Sequence, residues 1–166
     1  IAVNGPEYVS IKLTPGSEVH HIEEDDIDEK YTYLIDELNK REGLSFLHFY
    51  FGDLETSETF RKLSRRYNGK VLAEGSLTPE RYAEMLAEGL LDITGFARPF
   101  IANPDYVARL ANDWPMSRAD PETIYWPCPE GYVDYPFYDP ANPDAGVVGL
   151  DQPHSTKALL KMETQV

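Results

Sequence analysis

LLDITGFARPFIANPDYVARL (residues 90–110) decides how the chain is organised. Residues 90–96 read as a short apolar strand. Asn103-Pro104 then reads as an N-cap followed by proline at the first helical position, which predicts a helix with Val107 and Leu110 facing inward. Between the two stands Arg98, straight after the strand and straight before a helix start. The chain carries 29 acidic residues and a formal net charge of −14, so this cation calls for an explanation. It is either a grip for the phosphate of a ligand or an ordinary salt-bridge partner.

The same strand-then-helix texture runs upstream. YVSIKL (8–13) alternates, with Val9, Ile11 and Leu13 on one face and Tyr8, Ser10 and Lys12 on the other. Ile27, Tyr31, Leu34 and Leu38 recur at helical spacing, and Gly43 follows as a stop. LSFLHFY (44–50) is nearly continuously apolar, as in a strand buried on both faces. Phe60, Leu63 and Tyr67 mark a second helix, and KVLAEG (70–75) a third strand. Thr78-Pro79 opens a third helix whose apolar face is Tyr82, Met85 and Leu86. Four β-α units in a row imply parallel strands with right-handed crossovers. After residue 113 the texture turns proline-rich, aromatic and acidic. The expected organisation is a half-barrel of β-α units over 1–113, an ordered segment of the same domain over 114–138, and a flexible tail over 139–166.

Composition narrows the function classes. The length of 166 residues suits one domain with a core. The acidic balance argues against nucleic acid and against anionic membrane surfaces as partners. Its densest run, EEDDIDEK (23–30), reads as a solvated helix start. The single cysteine, Cys128, excludes an internal disulfide and fits a reducing, cytoplasmic setting; it reads as a buried or bystander thiol, not a nucleophile. No apolar run approaches the roughly 18 residues of a membrane span. The chain opens on Ile1, not Met, which implies that it was processed, trimmed or cut from something longer. His20, His21, His48 and His154 do not cluster, so no metal site is expected, and His48 reads as a hydrogen-bonded core histidine. A Ser-His-Asp signature, a P-loop and a GxGxxG motif are all lacking.

In parallel β/α folds chemistry sits at the C-terminal edge of the strands. Those edges present Lys12, then Tyr50-Phe51-Gly52, then Glu74-Gly75-Ser76, then Phe96-Ala97-Arg98. Gly75-Ser76 allows close backbone approach and offers N–H donors, or is a plain turn. Ala97-Arg98 adds a small residue and a guanidinium. Lys12 points either at an anionic ligand or at a nearby carboxylate.

These segments together resemble the old yellow enzyme family, the FMN-dependent ene reductases. GFARPFIANPDYVARL resembles the family's last-strand signature, commonly G-R-x-F-[IL]-[AS]-N-P-D-L. VSIKLTPGS resembles its strand-five segment, LSFLHFY the following strand, VLAEGS its strand-seven phosphate turn, and DPETIYWPCPEGYVDYPFY its C-terminal T-F-Y…G-Y-x-D-Y-P. The likeness covers roughly residues 8–138. It differs at Ala97, where the family has glycine, at Phe51-Gly52, where it has Glu-Pro, and at Glu74, where it has something small. The resemblance implies the C-terminal half of a TIM (β/α)8 barrel, the equivalents of strands five to eight. It implies FMN as cofactor and NAD(P)H as hydride donor, with hydride passed to an activated C=C bond. Arg98 would bind the FMN phosphate with backbone donors from Ala97, Gly75 and Ser76. Lys12 would face the flavin N1 edge, Ile124 would pack against the flavin, and Tyr125 would stand at the substrate lip. The family's substrate-anchoring and proton-donating residues lie on strands one to four, so no catalytic residue is assigned in this chain. The partner would be the missing N-terminal half-barrel or a second copy. The alternative is a non-catalytic remnant that has lost FMN and serves as a binding or assembly module.

Overall fold

The structure, a computed structural model, describes residues 5–17, 23–41, 43–127, 129–143 and 147–148. Cys128, His20, His21 and His154 lie outside the described residues, as does most of the expected tail. The chain divides into two compact units, Ile1–Gly95 and Phe96–Val166.

The first unit is a parallel sheet with three covering helices. Its strands are β1 (Ser10–Leu13), β2 (Phe46–Tyr50), β3 (Val71–Glu74) and β4 (Ile93–Gly95), paired in sequence order. The helices α1 (Ile27–Asn39), α2 (Glu58–Arg66) and α3 (Pro79–Ala87) follow the first three strands in turn. In-order parallel pairing through helical crossovers is the build of a partial (β/α)8 barrel. Lys12 lies opposite His48 in the β1–β2 register, and Tyr50 lies opposite Glu74 in the β2–β3 register.

Alternation sorts the strand residues onto two faces. Leu47, Phe49, Val71 and Ala73 are buried, as are Ile35 and Leu38 of α1, Phe60 and Leu63 of α2, and Tyr82 and Met85 of α3. The Phe49 and Phe60 rings meet edge-on with centroids 6.0 Å apart. Fully burying each such side chain contributes about 1.5–3 kcal/mol. The opposite face carries Lys12, Phe46, His48, Tyr50, Leu72 and Glu74, all partly exposed. LSFLHFY therefore departs from the doubly buried strand expected of it, because helices cover only one side of this sheet.

The helix starts follow their caps. Ser57 Oγ accepts the Phe60 N–H at 3.1 Å, and Thr78 Oγ1 accepts the Arg81 N–H at 3.2 Å with Pro79 in the first turn, as the sequence predicts. Two ends are shorter than expected. Tyr8 sits in a 3-10 turn opened by Pro6, so β1 begins only at Ser10. Leu90 and Leu91 are buried ahead of β4, which keeps just three residues.

The second unit contains α4 (Arg98–Ala102), α5 (Tyr106–Asn112) and the irregular segment beyond. Here the cap expectation fails. α5 begins at Tyr106 after Asp105, not at Pro104, and Asn103 does not cap it. Tyr106 and Arg109 are the buried positions, Val107 is 65% exposed, and Leu110 is half-buried. The inward face therefore holds a charged residue that periodicity of apolar side chains could not mark. Leu86 of α3, expected inward, is likewise exposed.

Candidate functional site

The partly exposed face of the sheet carries a polar cluster at its C-terminal end. Lys12 Nζ donates to Glu74 Oε2 at 2.8 Å. His48 Nε2 lies 3.1 Å from the same oxygen. Three neighbouring strands, β1, β2 and β3, thus converge on one carboxylate oxygen. The Lys12 ammonium also lies 5.6 Å from the centroid of the Tyr50 ring. The placement follows from the period of two: Lys12, His48, Tyr50 and Glu74 all fall on the face opposite the buried Leu47, Phe49 and Ala73.

The charges in this cluster balance. Burial tends to raise the Glu74 carboxyl, but the Lys12 hydrogen bond and charge, with help from His48, outweigh it and hold the group below its ordinary value. Burial pushes the His48 imidazole down, the Lys12 charge adds to this, and the pull of Glu74 only partly opposes them. A neutral imidazole can approach a carboxylate only as a donor, so Nε2 carries the proton. The cluster is one cation, one anion and one neutral ring. Lys12 has its nearby carboxylate, and His48 is hydrogen-bonded as expected.

Gly75, the residue after β3, is also engaged. Its N–H donates to the Tyr82 hydroxyl at 2.7 Å, and that hydroxyl lies 3.0 Å from its carbonyl oxygen as donor. Burial pushes the Tyr82 phenol up to about 12, so it keeps its proton at neutral pH. A Cβ at Gly75 would come within 2.7 Å of Leu54 Cβ and 2.9 Å of the Phe51 carbonyl oxygen. Close packing of the β3 turn on the loop after β2 therefore requires glycine by itself. Ser76 is exposed.

In the second unit Arg98 opens α4 and is exposed, with Ala97 as the residue before it. Its guanidinium lies 5.9 Å from the centroid of the Tyr125 ring, and Tyr125 is 65% exposed. Among the described residues Arg98 forms no ion pair. Ile124 is buried.

The NPD signature proves to be a clasp. Asn103 Nδ2 donates to the carbonyls of Pro99 at 2.9 Å and Ser117 at 3.0 Å, while Ser117 N–H donates to Asn103 Oδ1 at 2.7 Å. Asp105 accepts from Arg109 Nε at 2.6 Å and from the Tyr138 N–H at 2.9 Å. Arg109, fully buried, further donates to the carbonyls of Pro115 and Pro136. The backbone of the second motif, DYPFY, is thus tied to the side chains of the first.

Sequence reasoning named Glu74 at its strand edge without giving it a role in the cluster, and it missed Tyr82. Glu74 had its signal in the alternation of VLAE, which puts its carboxylate on the face that bears Lys12. Tyr82 had none, since its helical spacing marks only burial.

Parallel strands in sequence order, a polar cluster at their C-terminal ends and helices on one face define a segment of a (β/α)8 barrel. Comparison with known proteins specifies the type. No family model matches the chain. It is 30% identical over 147 residues to 12-oxophytodienoate reductase 1 of Oryza sativa subsp. japonica, covering 84% of this chain and 39% of that protein. Morphinone reductase in complex with tetrahydroNAD superimposes with a TM-score of 0.75 at 35% identity, covering 84% of this chain and 38% of that one. The old yellow enzyme from Trypanosoma cruzi gives 0.75 at 28% identity, covering 83% and 37%. Over the part it spans, the chain is similar to proteins of the old yellow enzyme type. It spans about two fifths of the length of the relatives it matches.

Proposed function

We propose that the chain is the C-terminal half of an FMN-dependent oxidoreductase of the old yellow enzyme type, acting in a reducing, cytoplasmic setting. The full barrel would use NAD(P)H, and bound FMN would supply the relay of hydride to an activated C=C bond. Arg98 would hold the phosphate, helped by the backbone N–H groups of Ala97 and Ser76. Lys12 would lie toward the flavin N1 edge, Ile124 would pack against the flavin, and Tyr125 would form the substrate lip. The observation that carries this reading is Arg98: an exposed guanidinium without an ion pair among the described residues, in a chain of 29 acidic residues. The fit is good at Arg98. It is poor at Gly75, whose N–H is already spent on Tyr82, and at Lys12, whose charge is already matched by Glu74.

Those last two observations favour a second reading, a remnant that no longer holds FMN and serves as a binding or assembly module. The two readings separate in one experiment. Titrate FMN against the chain alone and against the chain mixed with the N-terminal half of an old yellow enzyme-type barrel, following flavin fluorescence. The first reading expects weak binding alone, tight binding by the mixture, and a loss of roughly 10- to 150-fold in the Arg98→Ala mixture. A mixture that assembles without binding FMN supports the remnant. Tight FMN binding that survives Arg98→Ala removes the phosphate assignment.

A further inference from the structure

The Lys12 ammonium stands where an anionic ligand edge would be met, yet an internal carboxylate already fills that place. We propose that Glu74 is a specificity-determining residue: by binding Lys12 and His48 it makes this strand edge electrically neutral, so that the edge takes an uncharged ring system in preference to an anionic one. The proposal rests on the FMN reading only for the identity of the ring.

Three observations carry it. Glu74 Oε2 receives two donors from two different strands, at 2.8 and 3.1 Å, so its position is fixed from two sides. The Glu74 side chain is 16% exposed and that of Lys12 is 49% exposed, so the carboxylate sits deeper and the ammonium closer to an incoming ligand. The Tyr50 ring, a further neighbour of Lys12, is uncharged. A new anion at this edge must therefore compete with a carboxylate that is tethered in place and loses no translational freedom on binding. A neutral ring with hydrogen-bonding edges meets no such competition.

The consequence for a flavin is directional. Oxidised flavin is uncharged in its ring system, whereas the reduced anion carries charge at the N1 edge. An unmatched cation would favour the reduced form, and a matched one favours it less. Glu74 thus lowers the preference of the site for reduced over oxidised cofactor.

The test has two arms. In the first, the full chain is labelled for NMR at lysine and histidine side chains and titrated with inorganic phosphate, parent against Glu74→Gln. The isosteric amide keeps an acceptor for His48 but removes the competing charge. The Lys12 signals of the parent should stay still up to several millimolar. In Glu74→Gln they should move with an affinity roughly three- to tenfold higher, below the roughly 10- to 150-fold of a buried charge-assisted bond, since Lys12 is half exposed. The accompanying shift of the His48 ring signals should vanish in the Lys12→Met, Glu74→Gln double variant, which separates it from phosphate bound at Arg98. In the second arm, the FMN-binding mixture is titrated with oxidised and reduced FMN, and Glu74→Gln should raise the ratio of reduced to oxidised affinity by a similar factor. Lys12 signals in Glu74→Gln that ignore phosphate overturn the inference whether or not FMN binds. A mixture that binds no FMN while Lys12 responds as expected leaves Glu74 as the gate and removes flavin as the ring.

Discussion

The side-chain amide of Asn103 and the backbone of Ser117 form a two-way pair: Ser117 N–H donates to Oδ1 at 2.7 Å, and Nδ2 donates to the Ser117 carbonyl at 3.0 Å. Both residues are buried. A side chain here imitates a strand partner, locking the segment after α5 to the end of α4. Removing the amide leaves a buried N–H and two carbonyls short of a partner, at a cost of about 1–3 kcal/mol for each group left unsatisfied. Asn103→Ala should therefore cost at least about 3 kcal/mol in urea unfolding. Amide exchange at Ser117 should accelerate in step. A loss below about 0.5 kcal/mol, the range of ordinary surface changes, would mean that the clasp is redundant.

The Asp105–Arg109 pair makes a stronger demand. Arg109 is fully buried, and its guanidinium supplies hydrogen bonds to Pro115 and Pro136 as well as to Asp105. Deleting one member of a buried pair strands the other charge, which costs about 3–5 kcal/mol. Asp105→Asn should lose most of that amount and should expose the chain near Tyr138 to proteolysis, because the Tyr138 N–H also binds Asp105. Arg109→Met should be harsher than Asp105→Asn, since it strands the Asp105 carboxylate and also takes the guanidinium donor from the Pro115 and Pro136 carbonyls. The reverse order in thermal unfolding would contradict the pairing.

How much of this was legible beforehand depends on the kind of signal. The parallel order of the strands followed from the rhythm of apolar segments and from caps such as Thr78-Pro79. The sheet's open face did not show in LSFLHFY, whose near-continuous apolar run reads as a strand buried on both faces. What misled was Asn103-Pro104: its asparagine has the residue type of a cap, but its amide is taken by Ser117, fourteen positions away in sequence. Local rules cannot see a partner at that distance. The same holds for Arg109, a buried charge that only a tertiary partner makes tolerable. Glu74 was visible as an intruder among the usual small residues. Its bond to Lys12 was not, because register across three strands is a property of the folded sheet.

Gly75 separates packing from ligand binding. A methyl group there would lie 2.7 Å from Leu54 Cβ and 2.9 Å from a backbone oxygen, so something must move. Gly75→Ala should cost about 1–3 kcal/mol, the usual range for overpacking, with no ligand present. Leu54→Ala alone should also destabilise, by about 2–5 kcal/mol, because Leu54 is buried. The double variant should lose about the sum of the two, since alanine at position 54 keeps the Cβ that the new methyl group meets at 2.7 Å. A double variant clearly more stable than that sum would place the strain at Leu54 Cδ2, 3.1 Å away, instead.

Acid should weaken the first unit in two stages, and the sign follows from the direction of each shift. The folded chain holds His48 below its ordinary value of 6.5, so on acidification the unfolded chain takes up that proton first. A group of this kind supports the fold above pH 6.5 and loses that support as pH falls toward its folded value. Glu74 is held below its ordinary value of 4.5, so the unfolded chain again protonates first, and its support is lost as pH falls below 4.5. Both effects point the same way. Urea midpoints should therefore decline from pH 7 to pH 5 through His48, and decline again below pH 4.5 through Glu74 and through other paired carboxylates such as Asp92. His48→Gln keeps a donor near Glu74 but does not titrate, so it should flatten the upper stage and leave the lower one. Glu74→Gln should flatten part of the lower stage, and it should lower the His48 value further by removing the one neighbouring charge that pulls it up. A His48 titration that rises in Glu74→Gln, read from its ring proton shifts, would show that the carboxylate is not ionised beside it. Lys12 would then stand unmatched at the strand edge.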